Sequence, residues 1–428
     1  MIPRSFYTKV LLILLLSFIS TSSLIFTVEA NKILVPMDNT QTDHLRAYGL
    51  VYWALSIDIE GEWLLNYRGG SFFLEDYDVI REKANELGVL IEDISEPEVA
   101  RIYQVIEENN MNRIHLSKAP KIAVYAPSFV EPWDDAVRLV LEYAKIPYTR
   151  VWDEEVLAGM LPEFDWVHLH HEDFTGQFGK FYASYRNTSW YQKQVADAIK
   201  LARKLGYSSV QEEKCAVAKM IQAYVAEGGF LFAMCAAVDT IDIALAAEGI
   251  DIVPPEIDGT PITPDAQEKL NFNKTFAFQN FHLIFDPYVY EFSDIDVDII
   301  KEGMYYKQGN FVLFDFSAKI DPVPCMLNQN HTRIIKDFLG QTTGFYKNVI
   351  KPDVTILAEY PDKPVAKYIH GEFGKGTFTF LGGHDPEDYR HLVGDPPTDL
   401  SLHKNSPGYR LILNNVLFPA AKKKKRKT

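Results

Sequence analysis

The sequence predicts an α/β fold: a mainly parallel sheet with helices on both faces, an N-terminal α/β lobe, and an irregular insertion. Three observations predict it. From residue 121 onward the apolar runs "KIAVYAP", "YTRVW", "DWVHLHHED" and "FLFAM" alternate with longer stretches of helical spacing, and such alternation implies parallel strands covered on two sides. The 428 residues are 47% hydrophobic and 24% charged, a globular balance with length for one large core or two domains. Between 254 and 350 the rhythm fails, and Pro, Asn, Asp and aromatic residues take over.

The first thirty residues read as a secretory signal peptide. Arg4 and Lys9 precede an apolar run over 10–18, and Val28 and Ala30 occupy the −3 and −1 positions of a small-residue cleavage site. Serines and a threonine at 20–23 interrupt the apolar stretch, which disfavours a stable span. The expectation is an exported protein, periplasmic or secreted, with no transmembrane span after cleavage.

A lobe over 31–118 follows. Residues 32–38, "KILVPMD", form a strand, and Thr42 caps a helix in which Leu45, Tyr48, Val51, Tyr52 and Leu55 recur at helical spacing. "EWLLNYRGG" is a strand closed by a Gly-Gly turn, and helices over 77–87 and 96–109 complete the lobe. The main domain spans 119–421. Its strands alternate with a helix over 132–146, a long helix opened by Ser209 and Glu212 and closed by Gly228 and Gly229, and a helix over 236–247. After the insertion, "GKGTFTFLGGHDPEDY" supplies another strand and 409–417 a last helix.

Charge and cysteine count narrow the function. The net charge is −15; the first thirty residues carry +1 and the tail over 422–428 carries +6, leaving −22 on the body. An acidic body argues against nucleic acid as the main partner, and the basic tail reads as solvated. Three widely spaced cysteines, Cys215, Cys235 and Cys325, make no disulfide framework and leave at least one free thiol. Cys215 reads as a packed or surface thiol on a helix, and Cys325 lies in a Pro-bounded loop.

Open parallel sheets bind ligands beyond the carboxyl ends of their strands. Three such ends carry reactive side chains: His168, His170, His171, Glu172 and Asp173; Cys235; and His384, Asp385 and Glu387. Ala233, Ala236 and Ala237 keep the surroundings of Cys235 small enough for a strained strand-to-helix elbow. The following helix would point its N-terminal N–H groups at the sulfur, lowering the thiol pKa and offering an oxyanion hole. The same spacing suits a small apolar residue filling a core. On a strand His168 and His170 share a side while His171 faces away. With Asp173 the first two would suit zinc or another divalent ion, or else form a polar pocket wall. Arg68, in "NYRGGS", offers an anion cradle or simply a tight turn. No other cofactor is indicated.

"EGGFLFAMCAAVD" followed much later by "FLGGHDPED" resembles the class I glutamine amidotransferase-like superfamily. The resemblance implies a flavodoxin-like fold, a Cys235 thiolate, His384 as general base, and Asp385 or Glu387 orienting the imidazole. Such a pair can pass the thiol proton to the ring and on to a leaving ammonia. Ala236, His170, His171, Glu172 and Arg68 are then the substrate-contacting candidates. Alanines stand where that superfamily's elbow reads G-x-C-x-G, and its H-x-E ending becomes H-D-P-E. "HLHHED" and "GKGTFTFLGGHDPEDY" also resemble the ThuA-like (trehalose utilisation) branch, which implies a non-catalytic carbohydrate- or metal-binding envelope protein. "KYIHGEFGKG" resembles chains labelled asparagine synthetase B. Asn31 rather than a cysteine would lead the processed chain, however, and no S-G-G-x-D-S loop for ATP is present. The expectation is therefore amide hydrolysis on a small-molecule or glycan-type ligand, with ligand binding alone as its rival.

Overall fold

Two separate sheets organise the chain. The computed structural model describes residues 31–128, 134–305, 309–321, 328–390 and 392–421. The expected signal peptide, the basic tail, Cys325 and the start of the helix expected over 132–146 lie outside them.

The first sheet contains β1 (Lys32–Val35), β2 (Gly61–Leu65), β3 (Ser71–Glu75), β4 (Glu92–Ile94) and β5 (Asn112–Leu116), in the order β4-β1-β3-β2-β5. All four pairings are antiparallel. Helices α1 (His44–Ser56), α2 (Asp78–Leu87) and α3 (Glu96–Glu108) connect the strands. Asp43, not Thr42, caps α1: its carboxylate accepts the Arg46 N–H at 2.9 Å, while the Thr42 hydroxyl donates to the Gly88 carbonyl. An ionised acceptor is the stronger cap for a helix N-terminus.

The second sheet holds β6 (Ile122–Tyr125), β7 (Thr149–Val151), β8 (Trp166–Leu169), β9 (Phe230–Met234), β10 (Asn310–Leu313), β11 (Ile334–Lys336), β12 (Phe345–Tyr346), β13 (Thr355–Glu359), β14 (Val365–Phe373) and β15 (Gly376–Leu381). Its order is β11-β10-β13-β14-β15-β9-β8-β6-β7, with β12 on β14. Among the described residues, the helices of five residues or more between its strands and after them are α4 (Ala136–Tyr143), α5 (Asp153–Leu157), α6 (Ser189–Lys204), α7 (Val210–Ala226), α8 (Ala237–Ala246) and α9 (Pro407–Leu417). The α/β class holds, but the sheet is not mainly parallel. Four of its pairings are parallel and five are antiparallel. The antiparallel half comes from residues 310–373, among whose described residues no α-helix crosses between strands. A parallel return needs a crossover of a dozen or more residues, usually a helix; β13, β14 and β15 are joined by short turns instead.

The parallel half is built as the apolar runs required. Alternate side chains of each strand enter opposite cores. Val124, Trp166 and Phe232 share a core with α1, α4 and α9, whereas Tyr125, Val167 and Ala233 share one with α7 and α8. Within this half, numbered along the chain, the order β7-β6-β8-β9-β15 is 2-1-3-4-5.

The N-terminal lobe shares the first of these cores. Leu45 and Trp63 lie in the same apolar cluster as Tyr409 and Leu413. Arg410 of α9 is fully buried and donates to the carbonyls of Met37 (3.1 Å) and Gly69 (2.8 Å). Gly49 lets α1 meet the end of α4: a Cβ there would sit 1.9 Å from the Ala144 carbonyl oxygen. Among the described residues no helix is long and apolar enough to cross a membrane.

Candidate active site at the strand ends

Three strand ends are stitched together by backbone hydrogen bonds. Cys235, one residue past β9, donates its N–H to the Gly383 carbonyl at 3.2 Å, and Ala237 donates to the His170 carbonyl at 3.1 Å. His384 N–H closes onto Leu339 O at 2.9 Å. One reactive side chain from each of the three strand ends therefore shares one place. Cys235, His171 and His384 line a cavity of about 270 Å³. Tyr185, Tyr290, Tyr305 and Arg390 complete much of its wall; Tyr290 and Tyr305 come from the insertion.

Cys235 has φ of +50°. For a residue with a Cβ this left-handed conformation is unfavourable by about 1–2 kcal/mol, and such strain concentrates at functional turns. The turn is fixed from both sides, by the Gly383 bond and by Val238 N–H on the Cys235 carbonyl. The sulfur faces the backbone N–H groups of Gln341, Ala236 and Thr342. Those dipoles favour a thiolate, but burial dominates: Cys235 is 3% exposed, and its thiol is pushed up to about 12. The depressed thiol pKa expected from the helix N-terminus is thus corrected. Removing sulfur from water costs the anion more than three amides return.

The histidines form one contiguous group. His168 and His170 do lie on one side, rings 5.4 Å apart. His171 does not face away, because β8 ends at Leu169 and strand alternation ends with it. Its ring instead stacks on His384 at 5.6 Å, while His170 meets His384 edge-on at 4.4 Å. His168 is fully buried, with Nδ1 3.0 Å from the Phe232 carbonyl and Nε2 3.3 Å from His170 Nδ1. Burial lowers its pKa to about 4, so it is neutral. Among the described residues, two groups have the spacing of a metal site: His170, His171 and His384, and Asp135, His168 and His170.

Five expected residues serve elsewhere. Asp173 accepts from Thr175 N–H (2.6 Å), Thr175 hydroxyl (2.6 Å) and Gly179 N–H (3.0 Å), so it shapes its own loop rather than joining His168 and His170. Asp385 accepts from the Tyr409 hydroxyl at 2.8 Å, the Thr398 hydroxyl at 2.7 Å and the Glu387 N–H at 2.9 Å. Glu387 pairs with His403 at 3.1 Å. The extra residue in H-D-P-E carries both acids into contacts with the C-terminal segment. Arg68 is held in the first lobe by Asp38 (2.6 Å) and Glu92 (2.7 Å), so its guanidinium charge is already met. Glu172 accepts the His170 N–H at 3.2 Å and, with Trp152 and Lys214, lines a second cavity of about 380 Å³ behind His171. Cys215 donates to Ala244 O and burial pushes it up to about 11.

Sequence reasoning missed the amides of Gln341 and Thr342 that face the Cys235 sulfur. The amides carried no signal, since they arrive by way of the insertion. The aromatic richness of that insertion was the signal for the wall.

No protein-family model matches the chain, and no curated protein matches it. Among solved structures, two cytoplasmic proteins of Salmonella typhimurium align over 71% of this chain and 100% of their own, at 10% and 12% identity and TM-scores of 0.35 and 0.32. A β-galactosidase of Bacillus circulans aligns over 62% of this chain and 29% of its own, at 11% identity and a TM-score of 0.25. Similarity of this degree defines neither a fold nor an activity for the chain.

Proposed function

We propose that the chain is an exported protein of the class I glutamine amidotransferase-like kind, a hydrolase that cleaves a C–N amide bond through Cys235 and His384. The observation that carries the reading is the left-handed backbone of Cys235 at a strand-to-helix turn. Support for the fold assignment is the 2-1-3-4-5 order of the parallel half, which is the flavodoxin-like order with its ligand crevice at the strand ends.

With a thiol pushed up to about 12, no resting thiolate waits at neutral pH. His384 takes the Sγ proton as sulfur attacks the amide carbon. The carbonyl electron pair moves to oxygen, where the N–H groups of Ala236, Gln341 and Thr342 receive it. Collapse expels the amine with the imidazolium proton, and water releases the acid from the thioester. The substrate is a small-molecule or glycan-type amide small enough for a cavity of about 270 Å³.

Binding without catalysis, as in the ThuA-like branch, is the second reading. It is favoured by the engagement of Asp385 and Glu387 away from the ring and by the tyrosine wall. Amide hydrolysis by the purified protein, with loss of at least a thousandfold in Cys235→Ala, is the expected result. Undiminished hydrolysis by Cys235→Ala, or none by the wild type beside measurable saccharide binding, would sink the enzyme reading.

A further inference from the structure

We infer that His170, His171 and His384 bind a divalent cation of the zinc type, with a fourth coordination position open to the cavity. One ring nitrogen of each lies within 4.8 Å of the other two. A tetrahedral ion bound at about 2.0–2.1 Å needs its nitrogens roughly 3.3 Å apart, so modest ring rotations complete the site. The backbones are already fixed: the His170 carbonyl is held by Ala237 N–H, and His384 N–H by Leu339 O.

An outer layer sets the tautomer of one ligand. A backbone carbonyl can only accept, so the 3.0 Å contact with Phe232 O puts the hydrogen of His168 on Nδ1. The Nε2 of His168 then accepts from Nδ1–H of His170 at 3.3 Å. That leaves His170 Nε2 as the lone-pair nitrogen, and a ligating histidine is commonly oriented through its other nitrogen in this way. The competing group of Asp135, His168 and His170 is the weaker site. Asp135 already caps α4, its Oδ1 accepting from Val137 N–H (2.9 Å) and Arg138 N–H (3.0 Å). His168 has one nitrogen committed to Phe232.

Three protein ligands and an open position are the pattern of catalytic rather than structural zinc. His171 and His384 both line the cavity that contains Cys235, so an exogenous ligand in that cavity would reach the ion. The site does not rest on Cys235 acting as nucleophile. A bound cation takes the lone pair that would receive the thiol proton, so metal-loaded and hydrolytic states are alternative uses of His384.

The test is zinc titration of the full chain after chelator treatment and dialysis, followed by calorimetry and elemental analysis. One equivalent bound at micromolar Kd or tighter is expected. Affinity should fall at least a hundredfold in His171→Gln/His384→Gln, and roughly 10–100-fold in His168→Leu, where only the outer partner is lost. Cys235→Ala should bind zinc as the wild type does, which separates this site from the hydrolytic reading. Cobalt(II) bound to the wild type should give a tetrahedral visible spectrum, a readout that needs no variant to fold. No stoichiometric uptake by the wild type, or an aquated octahedral cobalt spectrum, would overturn the inference. So would unchanged affinity in the folded double variant.

Discussion

Asp242 of α8 holds the insertion to the helix that follows Cys235, and its replacement should be among the costlier single changes in the protein. The fully buried carboxylate accepts three consecutive backbone N–H groups, from Phe276 (2.6 Å), Ala277 (2.8 Å) and Phe278 (2.9 Å). All three donors belong to buried residues, so Asp242→Ala orphans them beyond the reach of water. At about 1–3 kcal/mol for each unsatisfied donor the gross loss is roughly 3–9 kcal/mol. Removing the carboxylate also removes its own burial cost, so a net loss of about 3–5 kcal/mol is expected. Asp242→Asn with its carbonyl in place of Oδ2 keeps the bonds from Ala277 and Phe278 and turns its amide toward Phe276 N–H. It should lose about half as much. Urea unfolding with linear extrapolation measures both, and hydrogen exchange at 276–278 reports the local release. Alanine within 0.5 kcal/mol of wild type, or asparagine costlier than alanine, would refute the reasoning.

Further expectations follow from the same kind of accounting. Lys367 is fully buried, with Nζ 2.6 Å from Phe338 O, 2.9 Å from Thr343 O and 3.0 Å from Asp337 Oδ1. Lys367→Met should cost about 3–5 kcal/mol by leaving the buried Asp337 charge without its cation, and adding Asp337→Leu should recover only part of it, because the Tyr360 hydroxyl and the Phe338 N–H lose their acceptor; an additive double variant would contradict this. Burial lowers His370 from 6.5 to about 4. Its folded pKa lies below its unfolded one, so its contribution is full above pH 6.5 and is lost as pH falls toward 4. That loss is about 3 kcal/mol, and His370→Leu should flatten the acid limb of a stability-versus-pH curve. Arg68→Ala should leave ligand binding and hydrolysis unchanged and cost about 1 kcal/mol or less, since its carboxylate partners are partly exposed. A hydrolytic defect in that variant would return Arg68 to the site.

The parts of the fold legible in the sequence are those with local causes. β6, β8 and β9 are short apolar runs between capped helices, and α7 opens where Ser209 accepts the Glu212 N–H. The antiparallel strands were not legible, because the hairpins of 355–381 read like the strands of a crossover fold. A three-residue strand such as β4 carries too little pattern to register at all. Cys235 and His384 were singled out because strand ends concentrate chemistry, and the structure places both on the wall of one cavity. The acids beside His384 were misassigned because chain proximity in H-D-P-E says nothing of where each carboxylate turns. His171 was assigned the wrong side because alternation was carried past the end of its strand.

The burial of Arg410 has a consequence for how the chain is made. The guanidinium that satisfies the Met37 and Gly69 carbonyls, and the Ala421 backbone that bridges to Leu116, come from far later in the chain than the lobe they complete. The first sheet therefore emerges from the ribosome long before the helix that completes its core. A chain cut short before α9 should leave that core open to proteolysis, however intact its own strands, so the first lobe, made before the second sheet, is finished only after it.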